Sequence, residues 1–139
     1  MTTPIDAFLT LQLGSRAEIA TVLGPSQVAA FAELTNDRNP IHLDEAFAKT
    51  TRFGGCIAHG MLVGSLLSAV LATKLPGPGT VYMQQSLRFR APVRVGATVV
   101  AAVEVVEVIA EKRRVRLVTT CSVDGAVVVD GEALVMLPA

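Results

Sequence analysis

The sequence predicts an α+β fold in which one curved, mostly antiparallel sheet wraps around one long apolar helix. Three observations predict it. From His59 or Gly60 to about Thr73 the chain has helical length and is apolar nearly all round, ended by Lys74-Leu75-Pro76-Gly77. After Pro78-Gly79 the period changes to two, with Val81, Met83, Leu87 and Phe89 alternating with Tyr82, Gln84, Ser86, Arg88 and Arg90. Three β-branched runs follow, Thr98 to Val108, Val115 to Val123 and Val127 to Leu137, with Asp124-Gly125 as a hairpin turn between the last two. An all-round apolar helix cannot rest on a surface, and these strands are what the chain has to surround it with.

The elements before that helix are shorter. Ala17 to Val22 reads as a strand ended by Gly24-Pro25, and Ser26 as the N-cap of a helix through Leu34 with Val28, Phe31 and Ala32 on one face. Thr35 to Pro40 is dense in turn formers, and Pro40 keeps Asn39 out of helical angles. Asp44 caps a helical turn through Ala48, and Gly54-Gly55 marks a loop. No repeat, low-complexity run or linker divides the chain, so residues 1–139 read as a single domain.

Composition limits the function classes. Hydrophobic residues are 51% and charged residues 17% of the 139, which excludes a disordered chain. Twelve basic and twelve acidic side chains cancel, so nothing in the bulk charge favours nucleic acid or an anionic membrane as partner. The distribution is uneven: no carboxylate lies between Glu45 and Glu104, while Lys49, Arg52, Lys74, Arg88, Arg90 and Arg94 do. That section either favours a small polyanion, such as a phosphorylated cofactor, or merely solvates separate surfaces. The longest apolar stretch, Met61 to Ala72, is short of the roughly 20 residues a bilayer span requires. The start, MTTPIDAFLT, has no signal-peptide pattern, and Cys56 and Cys121 are too few for a disulfide framework; both point to a reduced, cytoplasmic setting.

The densest polar cluster is Asp37-Arg38-Asn39-Pro40-Ile41-His42-Leu43-Asp44, in a predicted loop. A bend at Asn39-Pro40 would aim Asp37 and His42 at one spot, where the two make a workable acid–base pair for one water. In the alternative, Asp37 bonds its own backbone in the turn and His42 is a packed strand-end residue. At the start of the apolar helix, the Gly60 N–H has no intrahelical partner, and the helix dipole there favours a developing oxyanion. Gly60, Gly64 and Ser68 form a stripe of small side chains along that helix, against which a helix, a strand or a ligand chain packs closely.

Other chemistries fit less well. A calcium loop starting at Asp37 fails at Ile41 and His42, and Cys56, His59, His42 and Asp44 match no standard zinc spacing, so no metal is expected. A Cys56–His59 thiol nucleophile competes with the ordinary reading of a lone cysteine as a small buried hydrophobe. Phosphate-binding and serine-hydrolase signatures are absent.

The run FAELTNDRNPIHLDEAFA, Phe31 to Ala48, resembles the hydratase motif of the MaoC-like (R)-specific enoyl-CoA hydratases. GGCIAHGMLVGSLLSAVL and QQSLRFRAPVRVG resemble that family's central helix and following strand, so the resemblance spans about Ala17 to Leu137. It implies the hot-dog fold, usually paired as a homodimer, and water addition to a trans-2-enoyl-CoA to give an (R)-3-hydroxyacyl-CoA. By the same resemblance Asp37 and His42 match the catalytic pair, and Gly60 the glycine whose N–H donates to the thioester oxygen. Asn39 fixes the loop, and Ser68 matches a serine lying near the pair. No cofactor is implied, since the CoA thioester is the substrate. The acyl tail, short or medium in length, would run along the central helix with Leu67, Val70 and Leu71 as walls. Arg88, Arg90 and Arg94 are candidates for the CoA phosphates or simple surface charges. Two rivals remain: a hot-dog thioesterase, weakened because Gly60 to Thr73 holds no Asp or Glu, and a non-catalytic acyl-CoA-binding or purely structural dimer.

Overall fold

In the computed structural model residues 6–139 are described; Met1 to Ile5, part of the segment read above for a leader, lie outside the described residues. The elements are β1 (Arg16–Val22), α1 (Pro25–Thr35), α2 (Pro40–Leu43), α3 (Glu45–Ala48), α4 (Gly60–Thr73), β2 (Val81–Gln85), β3 (Arg88–Phe89), β4 (Thr98–Ile109), β5 (Arg114–Val123) and β6 (Ala126–Met136). One antiparallel sheet runs in the order β1-β4-β5-β6-β2, with β3 also paired to β6. The β5–β6 turn is the expected two-residue loop: Val123 pairs with Ala126, and Asp124 and Gly125 both take positive φ, +49° and +79°.

The sheet curls over α4, and the core lies between them. Val99, Ala101, Val103 and Val105 of β4, each at most 1% exposed, follow the period-two rule onto one face. Val115, Leu117 and Cys121 of β5 and Val129, Ala133 and Val135 of β6 continue that layer. From α4, Val63, Leu67, Val70 and Leu71 fill it at helical spacing. Each such leucine contributes ~1.5–3 kcal/mol of burial. The Cys121 thiol donates to the Val63 carbonyl of α4 at 3.5 Å, and burial pushes its pKa up to about 11.

Three expectations need correction. The N-cap of α1 is Gly24, not Ser26: Pro25 occupies the first turn, and Gln27 Oε1 reaches back to accept the Gly24 N–H at 3.1 Å. The alternating run from Val81 to Arg90 is two short strands, because the chain steps across β6 at Ser86. There the Ser86 N–H donates to the Glu132 carbonyl and its Oγ accepts the Glu132 N–H, both at 2.9 Å. A Cβ at position 131 would overlap the Ser86 carbonyl, so only Gly131 admits that crossing. Finally, α4 is not enclosed all round within one chain: Met61, Ser65, Ser68, Ala69 and Ala72 are exposed. Beside that open face lies β2, with one edge unpaired among the described residues, where Val81, Tyr82 and Met83 are each about 40% exposed.

Candidate active site

The site is built from three segments that meet at the N-terminus of α4. After α1 the chain turns through Asn36 in the left-handed region, φ 64°, which only a few side chains tolerate well. Asp37 Oδ1 then accepts the Asn39 N–H at 3.3 Å, and Asn39 Oδ1 accepts the Ile41 N–H at 3.2 Å. Asn39 is thus the N-cap of α2, with Pro40 as its first residue, and the single turn of α2 carries His42. His42 is therefore not a strand-end residue. Asp44 caps α3 by accepting the Phe47 N–H at 3.1 Å, as its position predicts.

His42 is half-buried, and its Nδ1 lies 2.7 Å from the Ile57 carbonyl. A carbonyl only accepts, so Nδ1 carries the hydrogen and Nε2 is left with the lone pair when the ring is neutral. The segment behind it is anchored twice: the Ile57 N–H donates to the Ile41 carbonyl at 3.2 Å, and the Ala58 N–H to the Val93 carbonyl at 2.7 Å. Glu45 adds a third tie by accepting the Cys56 N–H at 3.3 Å. The Cys56 thiol and N–H hold the Glu45 carboxyl below its usual range, helped by Lys49 and Arg94. Burial, and then that carboxylate, push the Cys56 thiol upward, away from nucleophilic use.

Asp37, His42, His59 and Gly60 line one cleft of about 540 Å³, with Arg52, Phe53, Phe89, Arg90 and Pro92 among its other walls. Among the described residues no side chain caps α4, so the amides of its first turn meet this cleft without a side-chain acceptor. One ligand atom from each of Asp37, His42 and His59 lies within 4.8 Å of the others, a spacing that suits a shared water or a cation. The four residues weighed for zinc, Cys56, His59, His42 and Asp44, do not converge: Cys56 turns to Glu45, and Asp44 is occupied in capping α3.

Other expected site residues lie elsewhere. Leu67, Val70 and Leu71, expected as acyl walls, are 0%, 0% and 1% exposed and line neither this cleft nor the next one. Their spacing turns them onto the sheet instead. Ser68 is exposed and lines a second cavity of about 350 Å³ with Met61, Gly64, Tyr82, Met83 and Leu87, separate from the cleft of Asp37 and His42. The small-residue stripe is covered from the sheet: a Cβ on Gly60 would stand 2.8 Å from Phe89 Cε1, and one on Gly64 2.9 Å from Leu87 Cδ1. Of the arginines, Arg90 lines the cleft and pairs with Asp130 at 3.0 Å. Arg94 lines a neighbouring cleft with Glu45 and Cys56, and Arg88 is exposed on β3. Sequence reasoning passed over Arg52, Phe53 and Phe89 as cleft residues. Only Arg52 gave a signal, as a member of the carboxylate-free window.

A single antiparallel sheet closed over one central helix, with a polar cleft at that helix's N-terminus, is the hot-dog architecture. The solved (R)-hydratase from Aeromonas caviae involved in PHA biosynthesis superposes with a TM-score of 0.91 at 47% identity, covering 93% of this chain and 98% of that one. Residues 9–127 match the MaoC like domain, and the chain belongs to that family. It is 55% identical over 131 residues to a 3-hydroxybutyryl-CoA dehydratase of Methylorubrum extorquens, covering 94% of this chain and 83% of the relative. It is 49% identical over 132 residues to an (R)-specific enoyl-CoA hydratase of Rhodospirillum rubrum, with 95% and 92% covered.

Proposed function

We propose that this protein is a hydro-lyase that adds water reversibly across the double bond of a short- or medium-chain trans-2-enoyl-CoA, giving the (R)-3-hydroxyacyl-CoA. The observation that carries the reading is the meeting of Asp37 and His42 beside the uncapped start of α4 in one cleft. The 3-hydroxybutyryl-CoA dehydratase relative favours a four-carbon acyl chain, so crotonyl-CoA is the first substrate to try.

The chemistry follows from the geometry. Water must lose a proton as its oxygen bonds to C3, C2 must gain a proton, and charge builds on the thioester oxygen between those events. The Ile57 carbonyl fixes the His42 tautomer, leaving Nε2 to accept a proton. Asp37 supplies the second site, a carboxylate, and the two share the acid–base work. The Gly60 N–H and the α4 dipole stabilise the enolate oxygen, so the residues fill every role without a cofactor. Arg52 and Arg90, on the cleft rim, suit the CoA phosphates better than Arg88 or Arg94. The whole chain, 1–139, acts as one domain in the cytoplasm. The open face of α4 and the unpaired edge of β2 are where a second copy would dock to make a homodimer.

The test is the loss of enoyl-thioester absorbance with crotonyl-CoA, with chiral analysis of the product, for wild type, Asp37→Ala and His42→Ala. Acid–base assistance is worth about 10²–10⁴ in rate, and each variant should lose that much while remaining folded. Release of free CoA thiol would make the protein a thioesterase instead. Full activity in either variant would remove that residue from the pair.

A further inference from the structure

Asp37 and His42 belong to one loop and its helical turn while Gly60 begins α4, and one buried residue ties the two together. His59 is 2% exposed. Its Nε2 lies 3.0 Å from the main-chain carbonyl of Asp37. Its ring stacks on that of His42, with centroids 3.9 Å apart and planes 31° from parallel, and Phe31 closes the far side at 4.8 Å. Its own carbonyl accepts the Val63 N–H at 3.1 Å as the N-cap of α4, and its peptide bond leads directly to Gly60.

We infer that His59 is a positioning residue, which holds the Asp37 main chain and the His42 ring in register with the start of α4. The inference rests on the hydratase reading for its kinetic consequences. Its structural content is the hydrogen bond and the stack. Because a carbonyl cannot donate, His59 Nε2 must carry the hydrogen. Its Nδ1 is buried without a partner among the described residues. An apolar ring would pack between Phe31 and His42 without an unpaired Nδ1, but it would leave the Asp37 carbonyl without this donor. The imidazole does what such a ring cannot, which is to tie the Asp37 peptide to α4. His42 and His59 accordingly adopt opposite tautomers, Nδ1–H and Nε2–H, while their rings remain stacked.

The experiment has two arms. The chain has only two histidines, so its imidazole ¹⁵N spectrum contains two rings, which His59→Gln assigns by loss of one. In the wild type, His59 should show a protonated Nε2 and a bare Nδ1, and His42 the reverse. This arm requires no turnover, so it judges the inference even if crotonyl-CoA is not a substrate. An Nδ1–H tautomer at His59 would overturn it. In the second arm, His59→Phe keeps an aromatic stack without the donor, and His59→Gln keeps a donor near the Nε2 position without the ring. A displacement of about 1 Å in the Asp37 loop costs ~10² in rate. His59→Phe should therefore lower kcat by about 100-fold with KM within a factor of three, and His59→Gln should recover at least ~10-fold of that loss. Wild-type kcat in folded His59→Phe would overturn the inference. So would equal kcat in the two variants, because a role in packing alone gives the Gln amide no advantage over the Phe ring.

Discussion

The two ends of α4 are built on opposite rules. Its C-terminal two turns present Leu67, Val70 and Leu71 to the sheet, all but fully buried, while Ser68 and Thr73 stay exposed. Its N-terminal turn opens with Gly60 and an exposed Met61, and the functional side chains beside it arrive from the preceding segments. The contrast teaches how one apolar helix serves both core and site. The far end supplies the burial that fixes the helix axis, and the near end offers main-chain amides around which the polar loop from Asp37 to His42 is arranged. Substitutions at the far end should therefore act on stability with little change in chemistry per folded molecule, and substitutions at the near end should do the opposite.

The largest expected effect is at the buried end. Leu67→Ala leaves a cavity against the sheet and should cost about 2–5 kcal/mol of unfolding free energy. Chemical denaturation should show the loss as a lower midpoint, with kcat of the remaining folded enzyme within about two-fold of wild type. A fall in kcat comparable to that of Asp37→Ala would erase the division between the two ends.

Much of this division was legible in the sequence, because each end announces itself by a different kind of signal. The apolar run ended by Lys74-Leu75-Pro76-Gly77 marks the helix, and the β-branched runs mark the strands within a residue or two of β4, β5 and β6. Asp37, Asn39, Pro40 and His42 are turn and cap formers whose roles follow from local rules, so their meeting with Gly60 could be expected. What sequence could not show depends on long-range placement. The break of β2 from β3 is set by the Ser86 carbonyl crossing over Gly131, forty-odd positions downstream. The burial of Val70 and Leu71, expected beside an acyl chain, depends on how α4 is rotated under the sheet. Ser68 misses the Asp37 cleft for the same reason: two turns along the helix, it faces the cavity under β2. Phe89 entered the cleft unannounced, because no local pattern tells which exposed side chain will border a neighbouring loop.

Gly60→Ala tests the near end and should have the next largest effect. The added Cβ would stand 2.8–2.9 Å from ring atoms of Phe89, a residue 54% exposed and free to swing aside. Stability should change little, since alanine is the better helix former. The displaced ring has the cleft to move into, where it would crowd the thioester against the α4 amides, so kcat/KM should fall by about 10–100-fold with an unchanged unfolding midpoint. A stability loss without a kinetic one would mean that the glycine serves helix packing and not the site.

The smallest effect should separate the rim arginines. Arg90 lines the cleft but is already paired with Asp130, its side chain 50% exposed and its partner's 34%. An exposed pair of this kind is worth about 0–1 kcal/mol, so the arginine keeps most of its charge available to a phosphate at little cost. Arg90→Ala should raise KM for a CoA substrate by no more than about five-fold and leave kcat alone, since the contact is made equally in the ground and transition states. The increase should shrink as salt is added, because an exposed charge is screened over about 10 Å at 0.1 M. Arg88→Ala, on β3 and outside the cleft walls, should do less at every salt concentration. If Arg88 proved the stronger of the two, the CoA moiety would leave the cleft over β3 and not past Arg52 and Arg90, and the near end of α4 would be approached from the sheet side.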